Sequence, residues 1–386
     1  MKIIIYCQHV LGVGHFFRTL EIARAMTACD VVLVTGGDRL DVALPGHVRH
    51  VTLAGLMMDE NFSRLHSVEP EKNVEAVKLD RQRQLLDLVK TENPDLFFVE
   101  LYPFGRKAFG FELIPVLEFI RDHCRIRCKV VCSLRDILVE KKDSLKYETR
   151  VIDVLNSWFD AVLVHSDPQL IKLSATFSRL AKIKIPLVYT GFVTPVPNPK
   201  KVARIRQEAG LSRKGRLIVA SAGGGNVGAT LLKSVVHAYQ ELSFRDDAIL
   251  KVYTGPYMDG EDKNYLHSHA CEWIRVEEFT SDFVSLLGAS DLSISMAGYN
   301  TCMNIVAAKV PSLVRPFSQN REQRQRARKL ARFAPMTLLE DQDLTPRALS
   351  RLIEKTCGRQ RKTPYFKLNI EGAANTVQWI REHINH

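Results

Sequence analysis

The tightest constraint on this chain is the alternation of short, wholly apolar runs with longer stretches in which apolar residues recur every three or four positions. A run such as Ile3-Ile4-Ile5-Tyr6-Cys7 has no polar face. It must be covered on both sides, as strands of a parallel sheet are when crossover helices lie on both faces. Such runs fall at 2–7, 31–35, 96–100, 129–134, 161–165 and 186–190, and the pattern restarts at 216–222, 249–254, 291–295 and 312–315. The expected class is therefore α/β, with two doubly wound, Rossmann-like domains rather than one long sheet. The boundary is expected between Thr194 and Pro199, where Pro195, Pro197 and Pro199 fix φ and remove amide donors, so that no regular element runs through. This divides the chain into 1–195 and 196–370, followed by a last helix at 371–386 with Val377, Trp379, Ile380 and Ile384 on one side.

Composition removes several function classes. With 386 residues, 46% hydrophobic and 25% charged, and no fixed-period repeat, the chain is neither disordered nor fibrous. The net charge of +11 favours something anionic: nucleic acid, an acidic membrane surface or a phosphorylated small molecule. No run approaches the eighteen apolar residues of a membrane span, and the N-terminus enters a strand pattern without a signal-peptide layout, so a cytoplasmic protein is expected. The eight cysteines are scattered, which reads as reduced thiols. The one cluster, Cys124, Cys128 and Cys132, lacks CxxC spacing, so no metal site is expected.

Three segments carry candidate chemistry. In the first, Gly12 and Gly14 follow the first strand and a helix begins near His15. Glycines there let the backbone approach a ligand, and helix N-terminal amides favour an anion. Phe17 breaks the GxGxxG pattern and only Asp38 follows the second strand, which disfavours a dinucleotide dehydrogenase. His15 at this junction suits a neutral general base; a capping or packing histidine is the alternative. In the second, Gly223, Gly224 and Gly225 leave a strand and a helix starts near Asn226 or Val227. Such a turn is a nest for diphosphate oxygens, against a tight turn needing positive φ. The third is residues 276–327, where Gly298, Asn300 and Thr301 open one helix and Glu322 and Gln323 open another, strongly basic one. Among strand ends, Glu100, Arg135 and Asp136 are acceptor-side candidates: Asp136 to orient His15 or act as base, Arg135 to hold an anion, or the two to form an internal ion pair. The basic run Arg321, Arg324, Arg326, Arg328, Lys329 and Arg332 reads as a solvated face or as a contact for anionic lipid, and without interleaved aromatics it does not read as a nucleic-acid surface.

These segments, with "FVELYPFG", "CSLRDIL", "YTGFV", "TGP" and "SMAGYNT", resemble the GT-B glycosyltransferases of the peptidoglycan N-acetylglucosaminyltransferase and UDP-glycosyltransferase branch, within it a bacterial group of predicted glycosyltransferases. The resemblance implies two Rossmann-like domains facing a central cleft, an acceptor in the N-terminal one, a nucleotide-sugar in the C-terminal one, and a terminal helix packing back on the N-domain. It implies His15 as catalytic base and donor contacts from Gly12, Gly14, Gly223 to Asn226, the backbone at Glu278 and Phe279, Gly298, Asn300, Thr301, Glu322 and Gln323. One departure stands out: three residues after the threonine the family usually has a glutamate for the ribose hydroxyls, and this chain has Asn304, which keeps an acceptor oxygen but loses the charge.

The expected function is transfer of a sugar from a nucleotide-diphosphate donor, UDP-linked, to a hydroxyl, metal-independent and without a cofactor, with inversion implied by the resemblance. The acceptor is left open, lipid-linked and anionic ones included, as is peripheral contact with the inner membrane face. The alternatives are a UDP-sugar hydrolase or 2-epimerase on the same fold, and a non-catalytic nucleotide-sugar-binding subunit.

Overall fold

The computed structural model describes residues 1–8, 14–36, 42–58, 65–69, 71–122, 127–138, 143–211, 215–319, 321–357 and 368–384. Gly12, Asp38 and Cys124 lie outside the described residues. In chain order the first part comprises β1 (Lys2–Gln8), α1 (Gly14–Ala25), β2 (Asp30–Gly36), β3 (Val48–Leu53), β4 (Leu56–Met58), β5 (Leu65–Ser67), α2 (Val74–Glu92), β6 (Leu96–Glu100), α3 (Gly110–Asp122), β7 (Lys129–Arg135), α4 (Ser144–Trp158), β8 (Ala161–His165) and β9 (Leu187–Tyr189). The second comprises α5 (Pro199–Glu208), β10 (Arg216–Ser221), α6 (Ala229–Gln240), β11 (Ala248–Tyr253), α7 (Gly260–Ser268), β12 (Ile274–Glu277), α8 (Phe283–Ala289), β13 (Leu292–Met296), α9 (Tyr299–Ala308), β14 (Ser312–Arg315), α10 (Arg321–Leu330), β15 (Met336–Leu338) and α11 (Pro346–Cys357). A last helix, α12 (Gly372–Ile384), ends the described chain.

The chain divides into two compact units, Met1–Val193 with Asn369–His386, and Thr194–Leu368. In the first, a parallel sheet runs in the order β3-β2-β1-β6-β7-β8-β9. Strand alternation splits its core in two. Ile4, Tyr6, Val32 and Val34 face one side with residues of α2, α3 and α4, while Ile3, Ile5, Cys7, Val31 and Leu33 face the other with Phe16, Leu20 and Ala23 of α1 and Val377 and Ile380 of α12. The returning segment is stitched into this unit: Phe192 N donates to Asn369 O (2.8 Å), Gly372 N to Phe192 O (2.9 Å) and Asn375 Nδ2 to Thr190 O (2.7 Å). In the second unit the parallel order is β12-β11-β10-β13-β14-β15, with α6 and α11 on one face.

β3, β12 and β15 were not expected from the sequence. Each is a short outer strand with polar residues mixed in, as in "VRHVTL" and "IRVE", so neither periodicity stands out. α6 also begins later than expected, at Ala229, because Gly228 adopts φ +115 and holds the helix off until it has passed. Among the described residues no helix is long and apolar enough to cross a membrane.

One buried charge network braces the first unit. Arg81 of α2, fully buried, donates from Nε to Glu112 Oε2 (2.8 Å), from Nη2 to Glu112 Oε1 (2.6 Å) and Gln8 Oε1 (3.0 Å), and from Nη1 to Ala54 O (2.5 Å); Tyr6 Oη also donates to Glu112. Gly36 makes room for it, since a Cβ there would lie 2.2 Å from Arg81 Nη1. Removing the cation would strand the Glu112 carboxylate in the core. Arg81→Met is expected to lower the unfolding free energy by about 3–5 kcal/mol, read by urea denaturation.

Candidate functional site

Both sheets have a switch point, a pair of neighbouring strands from which the chain winds outward in opposite directions. In the first unit the pair is β1 and β6; in the second it is β10 and β13. The crossover helices leave such a pair on opposite faces, so a crevice opens outside the strands' carboxyl ends. The candidate residues collect there.

In the first unit, His15 opens α1 and Glu100 ends β6. His15 Nδ1 lies 2.6 Å from Glu100 Oε1, and the same oxygen accepts a hydrogen bond from Arg18 Nη2; that nitrogen is also 3.3 Å from His15 Nδ1. With Nδ1–H donated to the carboxylate, the neutral ring carries its lone pair on Nε2. The His15 side chain keeps 21% of its surface accessible while Glu100 has none, so the imidazole is the member of the pair that a substrate reaches. Burial lowers the His15 pKa to about 4, with the Arg106 and Arg18 charges acting in the same direction and Glu100 against them. Burial alone would raise Glu100, but His15, Arg18 and Arg106 outweigh it and hold the carboxyl down at about 2. The site at neutral pH is thus a neutral imidazole held by an ionised carboxylate.

Glu100, expected on the acceptor side, is therefore the group that orients His15, the role considered for Asp136. Asp136 is fully buried beyond β7, with no surface from which to deprotonate a substrate hydroxyl. Arg135 Nε donates to Ile137 O at 3.1 Å, which ties that side chain into its own loop. Two residues escaped the sequence reading. Arg18 is a charged residue on the buried face of α1, among Phe16, Leu20 and Ile22, and that mismatch was its signal. His165 ends β8 fully buried between Ser133 Oγ and Thr190 Oγ1, each at 2.8 Å, and burial lowers its pKa to about 3. Like Glu100, it is a polar residue closing an apolar strand.

In the second unit, Gly223 and Gly225 adopt φ +70 and +98 after β10. The loop packs against the one after β11: Tyr257 N donates to Gly224 O (2.9 Å), and a Cβ on Gly255 would lie 2.4 Å from Gly223 O. A Cβ on Gly223 would meet nothing within 4 Å, so this glycine leaves its backbone open to solvent. α6 and α9, which flank the switch point, start at Gly228 and Gly298 with no side-chain cap. By contrast Asn73, Asp143, Asn198, Asp259 and Asp282 cap α2, α4, α5, α7 and α8 with their side chains. These two helix starts lie at the crevice, where N-terminal amides and the helix dipole suit an anion.

Other expected donor residues border this edge. Asn300 and Thr301 lie in the first turn of α9, and Asn304, one turn on, accepts from Thr194 Oγ1 at 2.9 Å. The Glu278 carbonyl accepts from Gly255 N (2.9 Å), its carboxylate pairs with Lys263 (2.8 Å), and Phe279 is 47% exposed. Gln323 Oε1 accepts from Phe317 N (3.0 Å), which leaves its –NH2 to a ligand; Glu322 precedes it in the first turn of α10. The basic run is not one solvated face. Arg324 forms a two-pronged pair with Glu340 (2.6 and 2.9 Å), and Arg326 is buried with its guanidinium 5.3 Å from the Tyr299 ring centre. Among the described residues no cluster of His, Cys, Asp or Glu could hold a metal ion.

Solved structures share this architecture over nearly the whole chain. MurG from Acinetobacter baumannii matches with a TM-score of 0.55 and 17% identity, covering 98% of this chain and 95% of that one. UDP-GlcNAc 2-epimerase from Methanocaldococcus jannaschii matches with a TM-score of 0.59 and 12% identity, covering 99% and 100%. The chain has the GT-B fold. Residues 220–376 match the glycosyltransferase family 28 C-terminal domain. The UDP-N-acetylglucosamine–N-acetylmuramyl-(pentapeptide) pyrophosphoryl-undecaprenol N-acetylglucosamine transferase of Carboxydothermus hydrogenoformans is 28% identical over 140 residues, 36% of this chain and 37% of that protein. The chain thus aligns with little more than a third of this curated relative's length.

The depressed histidine pKa values couple folding to pH. Unfolded histidine, near 6.5, binds protons that folded His15 refuses until about pH 4, so stability is full above about 6.5 and falls as the pH drops through this window. His165 contributes with the same sign down to about pH 3. Urea titrations between pH 6.5 and 4 are expected to show a slope that His15→Asn reduces by up to about 1.4 kcal/mol per pH unit.

Proposed function

We propose that the chain transfers a sugar from a UDP-linked donor to an acceptor hydroxyl, with inversion. Roles divide between the units. The first activates the acceptor: His15 Nε2 takes the hydroxyl proton as the oxygen bonds to the anomeric carbon. The bond from that carbon to the diphosphate breaks, and its electron pair leaves with the diphosphate. A histidine of pKa about 4 is a weak base, but it is unprotonated across the physiological range, and the Glu100 carboxylate stabilises the imidazolium as it forms.

The second unit holds the donor. The open turn at Gly223 to Asn226 and the uncapped ends of α6 and α9 supply amides for the departing diphosphate, preorganised so that little reorients as charge develops. The exposed ring of Phe279 and the backbone at Glu278 suit the base. Glu322 and the –NH2 of Gln323 suit sugar hydroxyls, and Asn304 offers an uncharged acceptor for the ribose. The observation that carries the reading is the pair of glycine-capped helices at the switch point of β10 and β13, each lacking the side-chain cap found on other helices. The family 28 match over this unit supports it. A lipid-linked acceptor, as the Carboxydothermus transferase's name describes, and residence at the inner membrane face belong to the same proposal. So does a place in envelope or glycoconjugate synthesis.

The test offers UDP-, GDP-, ADP- and TDP-sugars with and without a panel of hydroxyl acceptors, following nucleotide release and thermal stability. UDP is expected to stabilise the protein, with release dependent on acceptor and an acid limb of kcat/KM near pH 4. His15→Ala should cost about 10²–10⁴-fold in rate while leaving UDP affinity unchanged. Rapid release of UDP without acceptor would replace transfer by hydrolysis, and failure of every nucleotide to bind would overturn the donor site.

A further inference from the structure

Three buried side-chain atoms with no hydrogen-bond partner, Gln8 Nε2, Glu100 Oε2 and Arg106 Nε, belong to one corner of the first unit. Gln8 ends β1, Glu100 ends β6, and Arg106 lies in the segment that follows β6, so all three sit at the switch point beside His15. Orphaned polar atoms in a core cost free energy, and of the three residues only Arg106 keeps surface that a ligand could reach, Gln8 and Glu100 being fully buried.

Arg106 stands out. It adopts φ +57, a left-handed conformation that costs a non-glycine residue about 1–2 kcal/mol. The surrounding corner enforces it. Leu101 is also left-handed at φ +67, Gly105 N donates to Leu101 O (2.9 Å), and a Cβ on Gly105 would lie 2.7 Å from Leu101 Cδ2. From α4, Tyr147 Oη donates to Phe104 O (2.7 Å) and Arg150 Nη2 to Pro103 O (3.2 Å), pinning the segment. An arginine thus occupies a position where glycine would be cheaper, on a rigid support.

Its charge is uncompensated. Arg106 makes no ion pair among the described residues, and the carboxylate beside it, Glu100, is already held by Arg18 and His15. The positive charge of Arg106 acts on His15 and Glu100, lowering the pKa of each.

We infer that Arg106 recognises an oxyanion on the acceptor, a phosphate or a carboxylate, next to the hydroxyl that His15 deprotonates. This rests on the transferase reading. The acceptor class is then a hydroxyl compound bearing a neighbouring acidic group, whose charge-assisted bond to the guanidinium a neutral polyol cannot make.

The probes are inorganic phosphate and acetate, added to the full chain with saturating UDP while the His15 ring resonances are followed by NMR. The groups facing that ring are Glu100 of β6, Arg18 of α1 and Arg106, so a signal there reports on this corner. Either anion should shift the ring saturably; the tighter of the two names the acidic group. Arg106→Gln should weaken binding about tenfold, and Arg106→Lys, which keeps the charge without the fork, about threefold. In the wild type, the bound anion should also raise the His15 midpoint above about 4 by cancelling the Arg106 charge, a readout that needs no variant. An unmoved ring and midpoint with both anions, or equal binding by Arg106→Gln, would overturn the inference. Absence of UDP binding in the same samples would instead strike at the donor reading, leaving the anion result to stand on its own.

Discussion

The arrangement depends on strand polarity. Because every strand of each large sheet runs parallel, strand carboxyl ends and helix amino ends collect along one edge, and only at the switch points do the covering helices part. β1 with β6 and β10 with β13 occupy those points. The groups proposed to move the proton and to hold the diphosphate each follow one of these four strands: His15 at β1, Glu100 and Arg106 at β6, the triglycine turn at β10, and the α9 start at β13. The apolar runs that make the strands compulsory are thus also what places the polar residues.

The two units meet the demands of charge in different ways. The second uses peptide dipoles: glycines open the backbone, and α6 and α9 start at glycines that make no side-chain cap. Such a site carries no fixed charge that must be paired when empty. The first uses full charges in a dry setting, with Arg18, Glu100 and Arg106 around one histidine. Buried charges are tolerable only when compensated, and the Arg18 to Glu100 pair compensates itself while setting the His15 tautomer. The division matches the proposed chemistry, in which one unit receives a diphosphate and the other must move a proton.

Much of this was legible before any coordinates. The fully buried strands announced themselves as apolar runs, and the glycines after β10 and β13 could be assigned to strand-to-helix turns because nothing else explains their clustering. Outer strands were not legible, since β3 and β12 mix polar and apolar residues and lean on a neighbour rather than on periodicity. Nor was the pairing around His15. Glu100 was a candidate, but only the register of β1 beside β6 brings it to the imidazole across 85 residues, and Arg18 acts by pointing into the core from a helix face that otherwise reads as packing. Arg106 carried no motif at all; its role rests on a left-handed backbone and a missing partner, neither of which a sequence displays.

The central claim is that the amides opening α6 and α9 form a diphosphate site. Amide hydrogen exchange of the full chain with and without saturating UDP tests it directly. The account predicts slowed exchange at residues 223–229 and 298–302, with the strand interiors unchanged. UDP-dependent protection confined to the first unit, or none at either helix start, would contradict it.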